Sequence, residues 1–147
     1  MSEKVNIMFS NISKKYDLMN DVLSLGIHRI WKKKFIKKLK LTNSSKVIDI
    51  ASGSGDLVFE IKKYTDSVIG TDYNKDMLEI AKQRAKKKNL DVEFAIADAM
   101  NLQFNDNSFD YATISFGIRN VDDVDKCLKE MARVVKPNGK VAIITGG

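Results

Sequence analysis

The 147-residue sequence has little of several residue types that would commit it to a particular class of protein. Cys127 is the only cysteine, so no disulfide can form within the chain, and a reducing compartment such as the cytoplasm is the expected setting. There is one proline, Pro137, and one histidine, His28. No apolar run is long enough for a signal peptide or a membrane span, so we expect neither.

Lysine is what the sequence has in excess. Lys and Arg number 25 against 19 Asp and Glu, a formal net charge of +6, which favours contact with nucleic acid or with an anionic phospholipid surface. Hydrophobic residues make up 44% of the chain and charged residues 30%, a balance typical of soluble proteins. The length suits one domain with a single core of useful size.

Apolar runs alternate with helical patterns from Ser45 onward. This alternation predicts an α/β fold with a doubly wound, mainly parallel sheet, whose ligand crevice lies beyond the carboxyl ends of the strands. The predicted strands are 46–51, 67–71, 92–97, 109–115 and 140–145; the predicted helices are 57–63, 75–88 and 124–135, the last stopped by Pro137 and Gly139.

The first forty-odd residues have a helical pattern without a predicted strand. We therefore expect a helical cap at 1–44, packed over one end of the sheet of an α/β domain at 45–147, the two together forming one structural unit. Ile27, Trp31, Phe35 and Leu39 recur at four-residue spacing among lysines. The apolar stripe is predicted to pack on the sheet, whereas the lysines either face water or contact an anionic bilayer peripherally, at the inner membrane surface.

A small-residue turn follows the first predicted strand of the α/β domain, in Asp49-Ile-Ala51-Ser-Gly53-Ser-Gly55. Position 58, where a dinucleotide-binding fingerprint needs a third glycine, holds Val58. Asp49 would repel a pyrophosphate at this turn, whereas the cationic amine of S-adenosylmethionine would be attracted. The turn alone is equally consistent with an ordinary strand-to-helix connection.

Two more acids end the next two predicted strands. Asp72 lies about twenty residues after the turn, the spacing expected of a carboxylate that holds ribose hydroxyls. Asp98 could accept a hydrogen bond from an adenine amino group. Three carboxylates facing one crevice favour a nucleoside-containing ligand over three unrelated loop acids.

Two longer stretches carry a family resemblance. Residues 16–31, Tyr-Asp-Leu-Met-Asn-Asp-Val-Leu-Ser-Leu-Gly-Ile-His-Arg-Ile-Trp, resemble the amino-terminal signature of the ubiquinone/menaquinone biosynthesis C-methyltransferases, which are class I S-adenosylmethionine-dependent enzymes. Phe116-Gly-Ile-Arg119-Asn-Val-Asp and, further on, residues 133–139 carry the rest. Asn138 stands where the family usually has glycine, a mild departure because Asn tolerates a left-handed turn.

The resemblance implies methyl transfer from S-adenosylmethionine to a ring carbon of a prenylated quinol, either demethylmenaquinol or the benzoquinol precursor of ubiquinone. Arg119 would stabilise the phenolate or orient a water acting as base, with a surface salt bridge as its alternative role. His28 is the second candidate base. We expect no metal in the site. The predicted cofactor-binding residues are Tyr16, Asp49, Ala51, Gly53, Gly55, Asp72, Tyr73, Asp98, Ala99 and Ser115.

Two other functions compete with this interpretation. A nucleic-acid base methyltransferase fits the net charge, but its usual Asn-Pro-Pro-Tyr loop is impossible with Pro137 as the only proline, so no nucleic-acid partner is expected. An incomplete or non-catalytic cofactor-binding domain is the other alternative, because family members usually continue past the fifth strand. That reading leaves predicted strand 140–145 at an open sheet edge, where a second copy or a partner chain could pair.

Overall fold

A computed structural model of the protein describes residues 6–11, 33–115 and 123–145. The predicted site residues Tyr16, His28 and Arg119 lie outside these ranges, as does Trp31. The described elements are a helical segment at 33–38, strands β1 Asn6–Asn11, β2 Lys46–Ile50, β3 Ser67–Asp72, β4 Glu93–Ile96, β5 Phe109–Ser115 and β6 Val135–Thr145, and helices α1 Asp56–Lys62, α2 Lys75–Lys87 and α3 Val124–Val134.

The six strands form one sheet in the order β1-β6-β5-β2-β3-β4, and every neighbouring pair is parallel. Strand β2 lies between β3 and β5, so the strand order reverses there, and ligands of such sheets bind beyond the carboxyl ends at that point. The predicted doubly wound parallel sheet is confirmed. Each strand and helix predicted from Ser45 onward is found within one residue of its predicted bounds, except that β6 begins at Val135, five residues before its predicted start.

The core has two layers because side chains alternate across the central strands. Ile48 and Ile50 of β2 pack in a buried cluster with Met131 of α3 on one face. Val47 packs on the other face, in a cluster that includes residues of α1 and of the helical segment. Buried apolar residues on both faces of a strand are the pattern expected of a parallel sheet covered by helices.

The helical segment 33–38 and the turn after it show how the lysine-rich region packs. Phe35 and Leu39 are 6% and 0% exposed, so the prediction that the apolar stripe faces the sheet is confirmed for these two residues. Lysines 33, 34, 37 and 38 are exposed. Among the helices in the described part of the chain, none is long and apolar enough to cross a membrane.

The amino-terminal segment departs from the sequence prediction. It was expected to contain no strand, but Asn6–Asn11 forms β1 and pairs with β6 from Asn6↔Lys140 to Asn11↔Thr145. The expected open edge at 140–145 is therefore wrong, since β1 takes up that row of peptide groups. Strand β1 covers the edge of β6 and becomes the terminal strand on this side of the sheet, so an edge open to association would belong to β1 and not to β6. The division at residue 44 stays a prediction.

The connection from α3 to β6 is tighter than predicted. Helix α3 ends at Val134 and β6 begins at the next residue, before Pro137 is reached. Asn138 has φ 70, the left-handed conformation that an asparagine in place of glycine must adopt. A Cβ on Gly139 would lie 2.5 Å from the Asp110 carbonyl oxygen and 2.4 Å from Val135 Cγ1, so only glycine fits beside β5.

Candidate functional site

The carboxyl ends of the central strands meet at one edge of the sheet. Asp72 ends β3 and Ser115 ends β5, while Asp49 is the penultimate residue of β2. Asp98 follows β4 by two residues, and the Ala97 amide donates to the Asp72 carbonyl at 3.0 Å, which holds the β4 end beside the β3 end. The structure thus brings the three acids together at one edge, as their positions in the sequence predict.

A turn between β2 and α1 runs across this edge. Ala51, Gly53 and Gly55 all have positive φ, at 53, 56 and 92°. The Gly55 conformation suits glycine alone, and a Cβ there would also lie 3.0 Å from the Phe59 ring. The turn is closed by the Ser52 amide, which donates to the Thr71 carbonyl at 2.8 Å. Because Gly53 and Gly55 carry no side chains, the main chain of the turn is open to close approach at these two positions.

Asp72 holds the turn from the β3 side. Its Oδ2 accepts a hydrogen bond from the Gly53 amide at 2.8 Å, and its Oδ1 accepts one from the Asn74 amide at 2.9 Å. Asn74 in turn caps α2 by accepting from the amides of Asp76 and Met77 at 2.9 and 3.2 Å. Because each carboxylate oxygen can accept more than one hydrogen bond, the partly buried Asp72 keeps acceptor capacity for a pair of ligand hydroxyls.

Asp49 is set deeper than the other two acids. Only 1% of it is exposed, and its carboxylate oxygens accept from Thr113 Oγ1 at 2.6 Å and from Ser52 Oγ at 2.8 Å. Thr71 Oγ1 donates to its carbonyl at 2.8 Å. Asp49 therefore joins β2, β3, β5 and the turn as part of the wall of the site, and its predicted contact with a ligand stays a prediction.

Asp98 starts a loop that α3 holds in place. Its Oδ1 accepts from the Met100 amide at 2.9 Å. Further along, the Leu102 amide donates to Glu130 Oε2 at 2.7 Å, and Arg133 Nη2 donates to the Leu102 carbonyl at 2.9 Å. The hydrogen bond from Arg133 lowers the pKa of Glu130, with the Leu102 amide adding to it against the opposing effect of burial. This pair fixes the loop that carries Asp98.

Two further predicted residues offer contacts at the same edge. Among the described residues, Ser115 Oγ is the one buried side-chain oxygen or nitrogen without a hydrogen-bond partner, so a ligand atom would complete it. Tyr73, directly after Asp72, is 78% exposed and offers an aromatic face. Ala51 of the turn and Ala99, which follows Asp98, are both partly buried. The carboxylates, hydroxyl and small residues described at this edge fit a nucleoside that carries a cationic group.

Comparison with known proteins agrees with this geometry. The sequence model of the ubiE/COQ5 methyltransferase family matches residues 1–146. The chain belongs to the ubiE/COQ5 methyltransferase family.

Known relatives place the family match in context. A ubiquinone/menaquinone biosynthesis C-methyltransferase of Bdellovibrio bacteriovorus is 48% identical over 99% of this chain, and the match covers 63% of that protein, so the chain spans about three fifths of its length. The YcgJ protein from Bacillus subtilis superposes with a TM-score of 0.75 at 32% identity, over 79% of this chain and 49% of that one. A SAM-dependent methyltransferase from Aquifex aeolicus, at 23% identity and a TM-score of 0.64, covering 72% and 58%, shows the fold alone.

Cys127 lies in the protein core. Cys127 of α3 is fully buried, and burial, with a smaller effect from the Asp98 charge, raises the pKa of its thiol to about 11. It is therefore protonated at neutral pH, and it packs in the buried core cluster with Met131.

The sequence did not predict the hydroxyl and arginine side chains that hold the turn between β2 and α1. Ser52, Thr71 and Thr113 bond to Asp49, and Arg84 of α2 bonds to the turn from outside. Threonines inside otherwise apolar strands were the available signal, because a buried hydroxyl needs a partner. Arg84 gave no signal, since it lies in a helix whose other cations are surface lysines.

Proposed function

We propose that the chain binds S-adenosylmethionine at the carboxyl edge of its sheet and transfers the methyl group to a ring carbon of a prenylated quinol precursor of menaquinone or ubiquinone. The observation that carries the proposal is the turn bonded to Asp72, with Asp98 and the unpartnered Ser115 hydroxyl at the same edge. Membership of the family and the name of the Bdellovibrio relative support the substrate class.

Each described residue has a defined task in this proposal. Asp72 accepts hydrogen bonds from the two ribose hydroxyls while it still holds the Gly53 amide. Asp98 accepts from the adenine amino group, and Tyr73 lies against the base. The acidic edge favours a ligand with cationic groups over one with a pyrophosphate. Asp49 acts within the wall and keeps the turn in register with β5.

The bound cofactor would supply a methyl group on a cationic sulfur. The chain's contribution is to hold donor and acceptor in line, which can lower a barrier by roughly 7–11 kcal/mol, and to exclude water from a step in which charge disappears. No covalent enzyme nucleophile is needed. Arg119 and, as the second candidate, His28 are proposed to form or stabilise the phenolate, and Tyr16 to close the cofactor pocket.

Calorimetric titration with S-adenosylmethionine tests the binding step. Asp72→Ala should lose most of the affinity, whereas Asp76→Ala removes the same charge from an exposed position in the first turn of α2 and should leave it unchanged. A transfer assay with demethylmenaquinol and with the benzoquinol precursor then tests the reaction. A folded sample that takes up no cofactor would contradict the proposal.

We also propose that the exposed lysines of the helical segment contact an anionic membrane from the cytoplasmic side, where a prenylated substrate resides. Lysines 33, 34, 37 and 38 are exposed while Phe35 is buried, so the contact would be electrostatic and not insertion. Sedimentation with anionic vesicles should fall on Lys33→Gln with Lys37→Gln, but not on Lys86→Gln with Lys87→Gln. No sedimentation of the unmodified protein at low salt would reject this contact.

A further inference from the structure

Arg84 of α2 binds the glycine turn at a different residue from the one that Asp72 holds. Its Nη1 donates to the Ser54 carbonyl at 2.7 Å, and its Nη2 donates to Asp56 Oδ1 at 2.8 Å. The guanidinium carbon lies 5.2 Å from the centre of the Phe59 ring, within the range of a cation–π contact. One planar side chain thus fixes a carbonyl, a carboxylate and a ring at once.

The carbonyl that Arg84 binds belongs to the most unusual part of the turn. Ser54 lies between Gly53 and Gly55, both of which have positive φ. Glycine in such a conformation loses much conformational freedom on folding, so the turn needs bonds from outside to keep one shape. The Gly53 amide is held by Asp72, and the next residue is held by Arg84. Asp72 ends β3 and Arg84 lies in α2, the next element along the chain, so one strand–helix unit supplies both partners of the turn.

Arg84 is separate from the proposed cofactor contacts. It lines a cavity of about 310 Å³ together with Lys33, Asp56, Phe59, Glu60, Lys63 and Lys88, and none of these is a predicted cofactor-binding residue. A direct contact between the guanidinium and the cofactor is therefore not part of its role. Its effect on a ligand would pass through the shape of the turn.

We propose that Arg84 is a positioning residue that keeps the glycine turn in the shape that receives the cofactor, through its hydrogen bond to the Ser54 carbonyl. The inference rests on the proposed function for the identity of the ligand. Its physical basis is preorganisation: a turn already held in its bound shape does not have to be ordered when the ligand arrives. The ion pair with Asp56 orients the guanidinium, but that pair is partly exposed and adds little by itself.

Four variants separate the carbonyl bond from the ion pair and from charge. Arg84→Met removes both bonds; Asp56→Asn removes the ion pair and keeps the carbonyl bond; Arg84→Lys keeps a donor. Lys82→Met is the matched control, since Lys82 is an exposed cation of the same helix and its ion pair among the described residues is with Glu79 at 3.7 Å. Each is titrated with S-adenosylmethionine, and amide hydrogen exchange at Gly53 and Gly55 is followed without ligand.

Arg84→Met should raise the cofactor Kd about tenfold, the effect of one charged hydrogen bond, and should speed exchange at Gly53 and Gly55. Arg84→Lys should recover part of the affinity, while Asp56→Asn and Lys82→Met should stay within about twofold of the unmodified protein. The inference is overturned if Arg84→Met binds as tightly as the unmodified protein, or if Asp56→Asn is equally weakened. If the unmodified protein binds no cofactor, the proposed function fails, and the exchange at the two glycines still decides whether Arg84 holds the turn.

Discussion

Replacing Thr113 by valine tests how the wall of the site is held together. Thr113 and Asp49 are each 1% exposed, and the hydroxyl donates to the Asp49 carboxylate at 2.6 Å across the pair β5 and β2. Valine has nearly the same shape, so the substitution removes the hydroxyl without opening a cavity. The effect isolates one hydrogen bond to a buried carboxylate.

The expected loss follows from the partners that remain. A hydrogen bond to a charged group contributes about 1.5–3 kcal/mol to stability. Because the Asp49 carboxylate is buried, water cannot take the place of the lost hydroxyl donor. Ser52 Oγ still donates to the other carboxylate oxygen at 2.8 Å, so Asp49 loses one hydrogen bond and keeps this one. We expect Thr113→Val to lower the free energy of unfolding by about 2 kcal/mol, which for a chain of this size lowers Tm by roughly 4–8 °C.

Urea unfolding followed by circular dichroism measures the change, with thermal scans for Tm. Thr113→Ser is the control, because it keeps the hydroxyl and loses one methyl group, and it should cost about 1 kcal/mol or less. The reasoning is refuted if Thr113→Val unfolds within about 0.5 kcal/mol of the unmodified protein, or if the serine and valine variants are equally destabilised.

Three further outcomes are expected. Asn138→Ala should cost about 1 kcal/mol in urea unfolding while Asn138→Gly costs nothing, because φ 70 penalises alanine; equal stability of the two would contradict this. Arg133 lowers the folded-state pKa of Glu130 from its ordinary 4.5, so the pair stabilises the protein above pH 4.5 and this contribution is lost as the pH falls through the lowered pKa. The difference in unfolding free energy between the unmodified protein and Glu130→Gln should therefore be full at pH 7 and disappear on acidification. A difference that does not change with pH would contradict a stabilising pair. Cys127, with a pKa of about 11, should resist iodoacetamide at pH 8 until urea is added, and rapid labelling of the native protein would show that it is not buried.

The elements from Ser45 onward were predictable because their signals are local. A run such as Val47–Ile50 or residues 141–144 is apolar enough to be buried on both faces, and Pro137 and the glycines mark where helices cannot continue. Strand β1 was not predictable in this way. Its pairing partner is β6, at the far end of the sequence, and a short run such as Ile7-Met-Phe9 has no period that separates strand from helix.

The site was predictable in its position and not in its contacts. Parallel strands place their carboxyl ends at one edge, so the three acids had to be neighbours once the strands were known. The direction of each side chain depends on partners far away in sequence: Thr113 is 64 residues from Asp49, and Arg84 is 30 residues from Ser54. No spacing rule links such pairs, because they meet only after the sheet and α2 have packed.

The acids at the edge therefore divide into two kinds. Asp49 is fully buried and accepts hydrogen bonds from hydroxyls of β5 and of the turn, so it ties together the strands at the point where their order reverses. Asp72 and Asp98 are only partly buried; the Asp72 carboxylate accepts from the amides of Gly53 and Asn74, and the Asp98 carboxylate accepts from the amide of Met100. A carboxylate that binds a ligand needs oxygen atoms that the ligand can reach, whereas a carboxylate that joins strands uses its oxygen atoms to accept hydrogen bonds from buried protein donors. The sequence pattern treats the three acids alike; burial separates Asp49, which is enclosed among the strands, from Asp72 and Asp98, which are only partly buried and are the two acids that we propose contact the cofactor.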